Sequence, residues 1–117
     1  MANGDYIQNT SRTLEIKFLD AISTTALGVG VWRSVRELAQ MTFHASALET
    51  GAVAQVMVSN AETLPANSTD GPVAALLEPT NLVASLNGGY RWAKVKKTEG
   101  GVPAATTVIM EANRVAY

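Results

Sequence analysis

The sequence predicts an all-β fold: a single β-sandwich, of jelly-roll or immunoglobulin-like type, with about seven to eight short strands. Several short segments alternate apolar and polar side chains with a period of two, which places their apolar residues on one strand face. Glycine, proline, asparagine and aspartate separate these segments at the short intervals that turns between strands require. We expect residues 13–117 to form the sandwich and residues 1–12 to form a flexible amino-terminal arm.

The composition is that of one globular domain of 117 residues, 47% hydrophobic and 16% charged. A formal net charge of -1 lacks the basic excess of a dedicated nucleic-acid-binding protein, so we expect no specific nucleic-acid partner. Because the chain has no cysteine, disulfides and thiolate metal sites are excluded. We find no secretion signal and no apolar run of about 18 residues, and therefore expect a protein made in the cytoplasm without membrane contact.

The first strand is predicted from Thr13 to Leu19. Its apolar face consists of Leu14, Ile16 and Phe18. Glu15 and Lys17 alternate with these residues, which indicates a strand with one face in the core and one in water. In the preceding arm, only Tyr6 and Ile7 are large enough to anchor the chain on a partner.

The next segment, residues 33–39, is ambiguous, since Val35, Leu38 and Ala39 have helical spacing. It is shorter than the roughly 12 residues of a self-supporting helix, so we expect at most one turn. From Ala39 the period becomes two. The apolar face of this second strand is predicted to contain Ala39, Met41, Phe43 and Ala45.

A third strand is predicted over residues 52–60, with Ala54, Val56 and Val58 facing inward. The polar stretch 61–72 has strong turn chemistry and is expected to be an exposed loop. Residues 73–77 and 80–86 are short apolar pieces on either side of Pro79. Because proline cannot donate to a sheet ladder, we expect edge or connecting strands there.

The most distinctive stretch runs from Asn87 to Gly101, with a glycine pair near each end, and predicts one strand between two tight turns. One face of this strand would carry Tyr90, Trp92, Lys94 and Lys96, and the other Arg91, Ala93, Val95 and Lys97. The aromatic face is a candidate interface. A last strand, rich in threonine and valine, is predicted over residues 105–112.

The sequence has no recognisable catalytic or metal-binding pattern. His44 is the only histidine, and the ten carboxylates are scattered singly. The pair Gly28 and Gly30 lacks the third glycine and the helix of a phosphate-binding loop, and residues 67–71 contain one carboxylate, too few for calcium. We therefore expect a protein that is not an enzyme and that uses no cofactor or metal.

A resemblance is carried by three features of the second half: Val53 to Ala61 with its Ser59-Asn60 turn, the aromatic strand Tyr90 to Val95, and a threonine-rich last strand. This order resembles small β-sandwich proteins from the virions of tailed bacteriophages. The chain departs from that pattern at two places. Ala61-Glu62 follows the Ser-Asn turn where those proteins commonly have Asp-Gly, and the basic residue that is common later in their aromatic strand is Lys94 here.

The resemblance implies a virion structural protein, foremost a capsid decoration or cement protein that binds the outer lattice. Its partner would be the major capsid protein or another virion protein, its location the virion, and its site of synthesis the host bacterial cytoplasm. A homo-oligomer, either a trimer or a dimer, suits a short sandwich with spare apolar surface. The residues we expect at the protein interface are Tyr6, Ile7, Tyr90, Arg91, Trp92 and Lys94.

Two alternatives stay open at this point. A tail, connector or fibre component belongs to the same class of virion proteins. A carbohydrate-binding β-sandwich belongs to a different class and requires exposed aromatic rings, supplied by Tyr90, Trp92 or Trp32, that stack on sugars.

Overall fold

The computed structural model describes residues 3–10, 12–23, 30–98 and 100–115, and within these ranges it contains nine β-strands and no helix. The strands are β1 (Asp5–Asn9), β2 (Thr13–Ile22), β3 (Arg33–Ser34), β4 (Leu38–Ala45), β5 (Ala54–Ser59), β6 (Val73–Leu77), β7 (Val83–Asn87), β8 (Trp92–Lys97) and β9 (Thr106–Arg114). They form two antiparallel sheets packed face to face. The prediction of an all-β sandwich is confirmed.

The strand order is that of a jelly roll. The five-stranded sheet has the order β1-β2-β9-β4-β7 and the four-stranded sheet the order β3-β8-β5-β6. The chain therefore crosses between sheets at most of its turns, and β2 to β9 supply the eight strands of two interlocked Greek keys. β1 is an additional strand on the outer edge of β2.

The core lies between the sheets and follows the alternation read from the sequence. Its members with no exposed side-chain surface include Ile16, Phe18, Met41, Phe43, Val56, Val95, Val108 and Met110. The rings of Phe18 and Phe43 are 5.7 Å apart between centroids, in a tilted arrangement. Burying one such aliphatic or aromatic side chain contributes about 1.5–3 kcal/mol, so the core is the main source of stability.

One predicted face is wrong at the start of β4. The register with β9 shifts between Leu38 and Gln40, so Leu38 points inward and Ala39 is exposed. The preceding Glu37 has a positive φ of 65°, which reverses the chain after β3. Residues 33–39 thus contain a two-residue strand and a turn, and a β-bulge moves the inward position by one residue.

The described part of residues 1–12 also differs from the expected flexible arm, because it forms an edge strand. β1 pairs antiparallel with β2, and the Gly4 amide donates to the Lys17 carbonyl at 2.6 Å. The Arg33 Nε donates to the Gly4 carbonyl at 2.7 Å. The prediction weighed apolar side chains, whereas backbone hydrogen bonds hold an edge strand in place. Residues 1, 2 and 11 lie outside the described part of the chain.

The polar segment 60–72 is exposed, as predicted, but its backbone also covers part of the outer face of the four-stranded sheet. The Val58 amide donates to the Pro72 carbonyl at 3.0 Å, and the Trp32 Nε1 donates to the Thr69 carbonyl at 3.1 Å. Beneath this cover Met57 is buried although it points away from the main core. The segment thus closes a small second cluster on the outside of the sheet.

Candidate functional site

Four of the five arginines of the chain lie at one end of the sandwich. The end is fixed by register: Thr13 lies opposite Asn113, and Ser34 lies opposite Trp92. Five parts of the chain therefore meet at this end: the turn between β1 and β2, the turns 35–37 and 88–91, the start of segment 60–72 and the end of β9. We call this surface the arginine end and define it by Arg12, Arg36, Arg91, Arg114 and Trp92.

Arg36 and Trp92 form its most ordered contact. The guanidinium carbon of Arg36 lies 5.3 Å from the centroid of the Trp92 ring, within the range of a cation–π interaction. The Trp92 Nε1 donates to the Ala61 carbonyl at 2.9 Å, which fixes the ring on the outer face of the sheet. Arg36 is exposed and Trp92 is half-buried, so the guanidinium is held on the ring while its outer edge faces water.

Arg91 has a rigid backbone and a free side chain. Its amide donates to the Asn60 Oδ1 at 2.9 Å and to the Ser59 carbonyl at 3.2 Å, and its carbonyl accepts from the Val35 amide at 3.0 Å. The turn before it needs Gly88, because a Cβ atom there would lie 1.9 Å from the Leu38 carbonyl oxygen. The Arg91 side chain is exposed on this fixed turn.

Arg12 and Arg114 complete the rim. The Arg114 amide donates to the Arg12 carbonyl at 2.9 Å. The Arg114 guanidinium donates to the Thr13 carbonyl at 3.1 Å and also to the Asn9 side chain. Arg114 is thereby held against the turn between β1 and β2, and the Arg12 side chain is exposed beside it.

Charge at the arginine end is unbalanced. None of its four guanidinium groups forms an ion pair within the described residues, whose ion pairs all involve lysines. Two exposed carboxylates, those of Glu37 and Glu62, lie on the same end without pairing with them. The end therefore offers exposed arginines beside a half-buried indole and two scattered acids, an arrangement suited to a protein partner.

The predicted interface residues fall in three places. Arg91 and Trp92 belong to the arginine end, and the half-buried Tyr90 lies in the same turn. Tyr6 and Ile7 lie on β1, with 46% and 37% of their surface exposed. The Tyr6 ring is 5.7 Å from the Arg33 guanidinium. Lys94 is elsewhere and is not on the surface.

Lys94 is a structural residue, which corrects its assignment to an interface. Its side chain is fully buried under segment 60–72. The Nζ donates to the carbonyls of Asn67 and Thr69, both at 2.8 Å, and lies 3.4 Å from the Asp70 carboxylate. It also lies 5.3 Å from the Trp32 ring. Burial lowers the pKa of Lys94, and the contact with Asp70 opposes that shift.

A second buried lysine closes the opposite end of the sandwich. The Lys97 Nζ lies 2.8 Å from the Glu49 carboxylate and donates to the carbonyls of Ile22 and Ala104. Both side chains are almost completely buried. The hydrogen bond from Lys97 lowers the pKa of Glu49, burial opposes that shift, and backbone amides including that of Gly100 add to the lowering. The pair joins three turns and belongs to the scaffold.

A shallow groove of about 420 Å³ lies on the outer face of the five-stranded sheet. Glu15 and Glu111 face each other across β2 and β9 in this groove, and Thr42 continues the row on β4. The remaining lining is mostly amide and hydroxyl side chains. The described residues contain no group of three or more histidine, aspartate or glutamate side chains placed to hold a metal ion.

Sequence reasoning missed Arg12, Arg36 and Arg114 as members of one surface. They lie far apart in the chain, and no local spacing relates them. A partial signal was present in charge type, because all four lysines lie within predicted strands whereas Arg12 and Arg114 lie just outside them. Without the strand order, however, the turns of one end cannot be separated from those of the other.

Comparisons with known proteins found no match to this chain among protein-family models, curated proteins or solved structures. A search of the described residues for a helix long and apolar enough to cross a bilayer was also negative.

Proposed function

We propose that this protein is a structural component of a tailed-phage virion: a capsid decoration or cement protein that binds the outer capsid lattice and stabilises it. The major capsid protein is its partner, and the protein acts in the virion after synthesis in the host cytoplasm. Two lines support this. The jelly roll recurs in viral capsid proteins, and the second half of the chain resembles small virion sandwiches.

The observation that carries the proposal is the arginine end. Arginine, tryptophan and tyrosine are the residues most enriched at energetically important positions of protein interfaces. Arg36, Arg91, Trp92 and Tyr90 bring these types together on rigid turns. Because Arg36 is held over the Trp92 ring and the Arg91 backbone is hydrogen-bonded, this surface loses less conformational entropy on binding than free side chains on a mobile loop would.

A homo-oligomer is part of the proposal. β6 and β7 are the free edges of the two sheets on the same side of the sandwich, and their ten residues include no charged side chain. Val73, Leu76 and Val83 each expose more than 40% of their surface there. Uncharged edge strands readily pair with other chains, so this side is where we place contacts between copies in a dimer or trimer.

The proposal is tested by sedimentation of the purified protein with undecorated capsids. We expect the protein to enter the capsid pellet at a fixed ratio to the major capsid protein, and to raise the temperature at which the capsids release their contents. Protein that never co-sediments with capsids of its own phage would remove the decoration function. Recovery in tails but not in tailless heads would move it to a tail, connector or fibre component.

We do not extend the proposal to carbohydrate binding, because Trp32 is buried and one face of the Trp92 ring carries the Arg36 guanidinium. Trp32 is 2% exposed, under segment 60–72. The Trp92 ring lies beneath the Arg36 guanidinium. Sugar stacking requires a free ring face.

A further inference from the structure

We propose that the protein attaches end-on: the arginine end docks on a carboxylate-rich protein surface, with Arg12, Arg36 and Arg91 as the cations that contact it. The inference rests on the proposed function, which supplies that the carboxylate-rich surface of the partner belongs to a virion protein. It adds which end of the sandwich faces the particle and what chemistry the partner presents.

The first support is the uneven distribution of exposed charge. At the opposite end, formed by turns 46–53, 78–82 and 100–105, the described residues include no exposed arginine or lysine. Its lysine, Lys97, is buried against Glu49, and Glu78 is exposed. A chain with a formal net charge of -1 thus has exposed arginines at one end, whereas the described residues of the opposite end have the exposed Glu78 and no exposed cation. Such a charge distribution orients the molecule on an acidic surface before contact.

The second support concerns the type of anion. Arginine binds a carboxylate through two parallel hydrogen bonds, and the guanidinium of Arg36 already lies over the Trp92 ring, 5.3 Å from its centroid. Glu37 and Glu62 lie among the arginines, where they would repel a continuous phosphate backbone but match a protein surface of mixed charge. The Trp92 ring is occupied by Arg36 and is not free for base stacking. These features favour protein carboxylates over nucleic acid.

The dimensions of the molecule explain why one such contact is not sufficient. The structure measures 46 × 24 × 24 Å. Five strands side by side, about 4.8 Å apart, span about one of the two 24 Å dimensions, so the 46 Å axis runs along the strands. An end of 24 × 24 Å has a flat cross-section of about 600 Å², below the roughly 800 Å² of surface that each partner buries in a stable complex. End-on attachment is therefore weak for one copy and becomes durable when copies linked through β6 and β7 bind several sites.

The test compares two double variants that both lower the formal net charge by two. Arg36→Gln with Arg91→Gln removes two cations from the arginine end, and Thr80→Glu with Asn81→Asp adds two anions to the exposed turn at the opposite end. Each is checked for folding by circular dichroism. If the first variant does not fold, Arg12→Gln with Arg91→Gln replaces it, because this variant keeps the contact between Arg36 and Trp92. Binding is measured to undecorated capsids, to a poly-glutamate film and to random double-stranded DNA.

We expect the wild type to bind capsids and poly-glutamate, and to lose binding as salt rises from about 50 to about 300 mM. Removing the two arginines should weaken both interactions about tenfold, while the control variant changes them less than about twofold. Equal capsid binding by the arginine variant would overturn end-on docking and leave the decoration function standing. Arginine-dependent binding to poly-glutamate without capsid binding would overturn the decoration function and leave standing the docking of the arginine end on carboxylates. Arginine-dependent preference for DNA, or no binding to any probe, would also overturn the inference.

Discussion

The buried pair of Lys97 and Glu49 makes a strong prediction about stability. Lys97→Met removes the cation but keeps the apolar stem, which leaves the Glu49 carboxylate buried and the Ile22 carbonyl without its donor, while the Ala104 carbonyl keeps only the 3.4 Å hydrogen bond from the Thr106 hydroxyl. Breaking a buried pair from one side costs about 3–5 kcal/mol. A domain of this size has a total stability of about 5–15 kcal/mol. We therefore expect the variant to lose about a fifth or more of its stability at pH 7.

The matched control replaces both partners. Lys97→Met combined with Glu49→Leu leaves no buried charge, so it should recover at least half of the loss, although the Ile22 carbonyl oxygen still lacks a donor at a cost of about 1 kcal/mol. The assay is urea unfolding followed by circular dichroism, with the slope of the free energy against urea confirming a common unfolding transition. A loss below about 1 kcal/mol for Lys97→Met would refute the reasoning. A double variant no more stable than the single one would do so equally.

The same pair predicts a dependence on pH. The pKa of Glu49 in the folded protein is lowered by Lys97, so it lies below the ordinary glutamate value of about 4.3. As the pH falls, the unfolded chain binds a proton at Glu49 before the folded protein does. The stabilisation is thus complete above that ordinary value and is lost as the pH falls through the folded pKa. The wild type should lose more stability than the double variant when the pH is lowered from about 6 to about 3.

Three further outcomes are expected. Val56→Asp should unfold the domain, since Val56 is fully buried and an unpaired charge there costs several kcal/mol; retention of the wild-type circular dichroism spectrum would contradict the position of the core. Lys94→Met should loosen segment 60–72, because the Asn67 carbonyl loses its donor and the Thr69 carbonyl keeps only the Trp32 Nε1. Faster amide exchange confined to that segment would measure the loosening, and unchanged exchange there would show that Lys94 does not anchor it. Gly88→Ala should lower the melting temperature by about 5 °C or more, because the new Cβ clashes with the Leu38 carbonyl. The control Gly101→Ala, whose nearest contact would be 3.6 Å away, should change the melting temperature by about 1 °C. Equal shifts for the two variants would contradict the close approach at Gly88.

The core and most strands were predictable from the sequence because each strand pairs one buried face with a more polar one. In β2, Leu14, Ile16 and Phe18 point inward as the alternation predicts. The prediction failed where local register shifts, as at Leu38 and Ala39, because a bulge changes the inward position without changing the composition. It also failed for β1, whose order comes from backbone pairing, on which side-chain pattern gives no information.

The two buried lysines show why the candidate site was only partly predictable. Lys94 and Lys97 look like surface cations in the sequence, and burial of a lysine is rare. Their environments come from distant turns: the carbonyl partners of Lys94 lie in segment 60–72, and the carboxylate partner of Lys97 lies in turn 46–53. The arginine end, in the same way, exists only after the strand order joins separate turns. Such relations depend on topology, which one sequence does not specify.

The position of β9 has a consequence for how the protein is made. This last strand lies between β2 and β4, so it completes the five-stranded sheet only after residue 114 has left the ribosome. Until then β2 and β4 each lack one of their two paired neighbours, and the core lacks Val108 and Met110. The five-stranded sheet therefore closes only after β9 has been synthesised, and distant pairings of this kind form slowly. A nascent chain cannot occupy its binding position, and truncation before residue 106 should yield insoluble protein rather than a smaller functional domain.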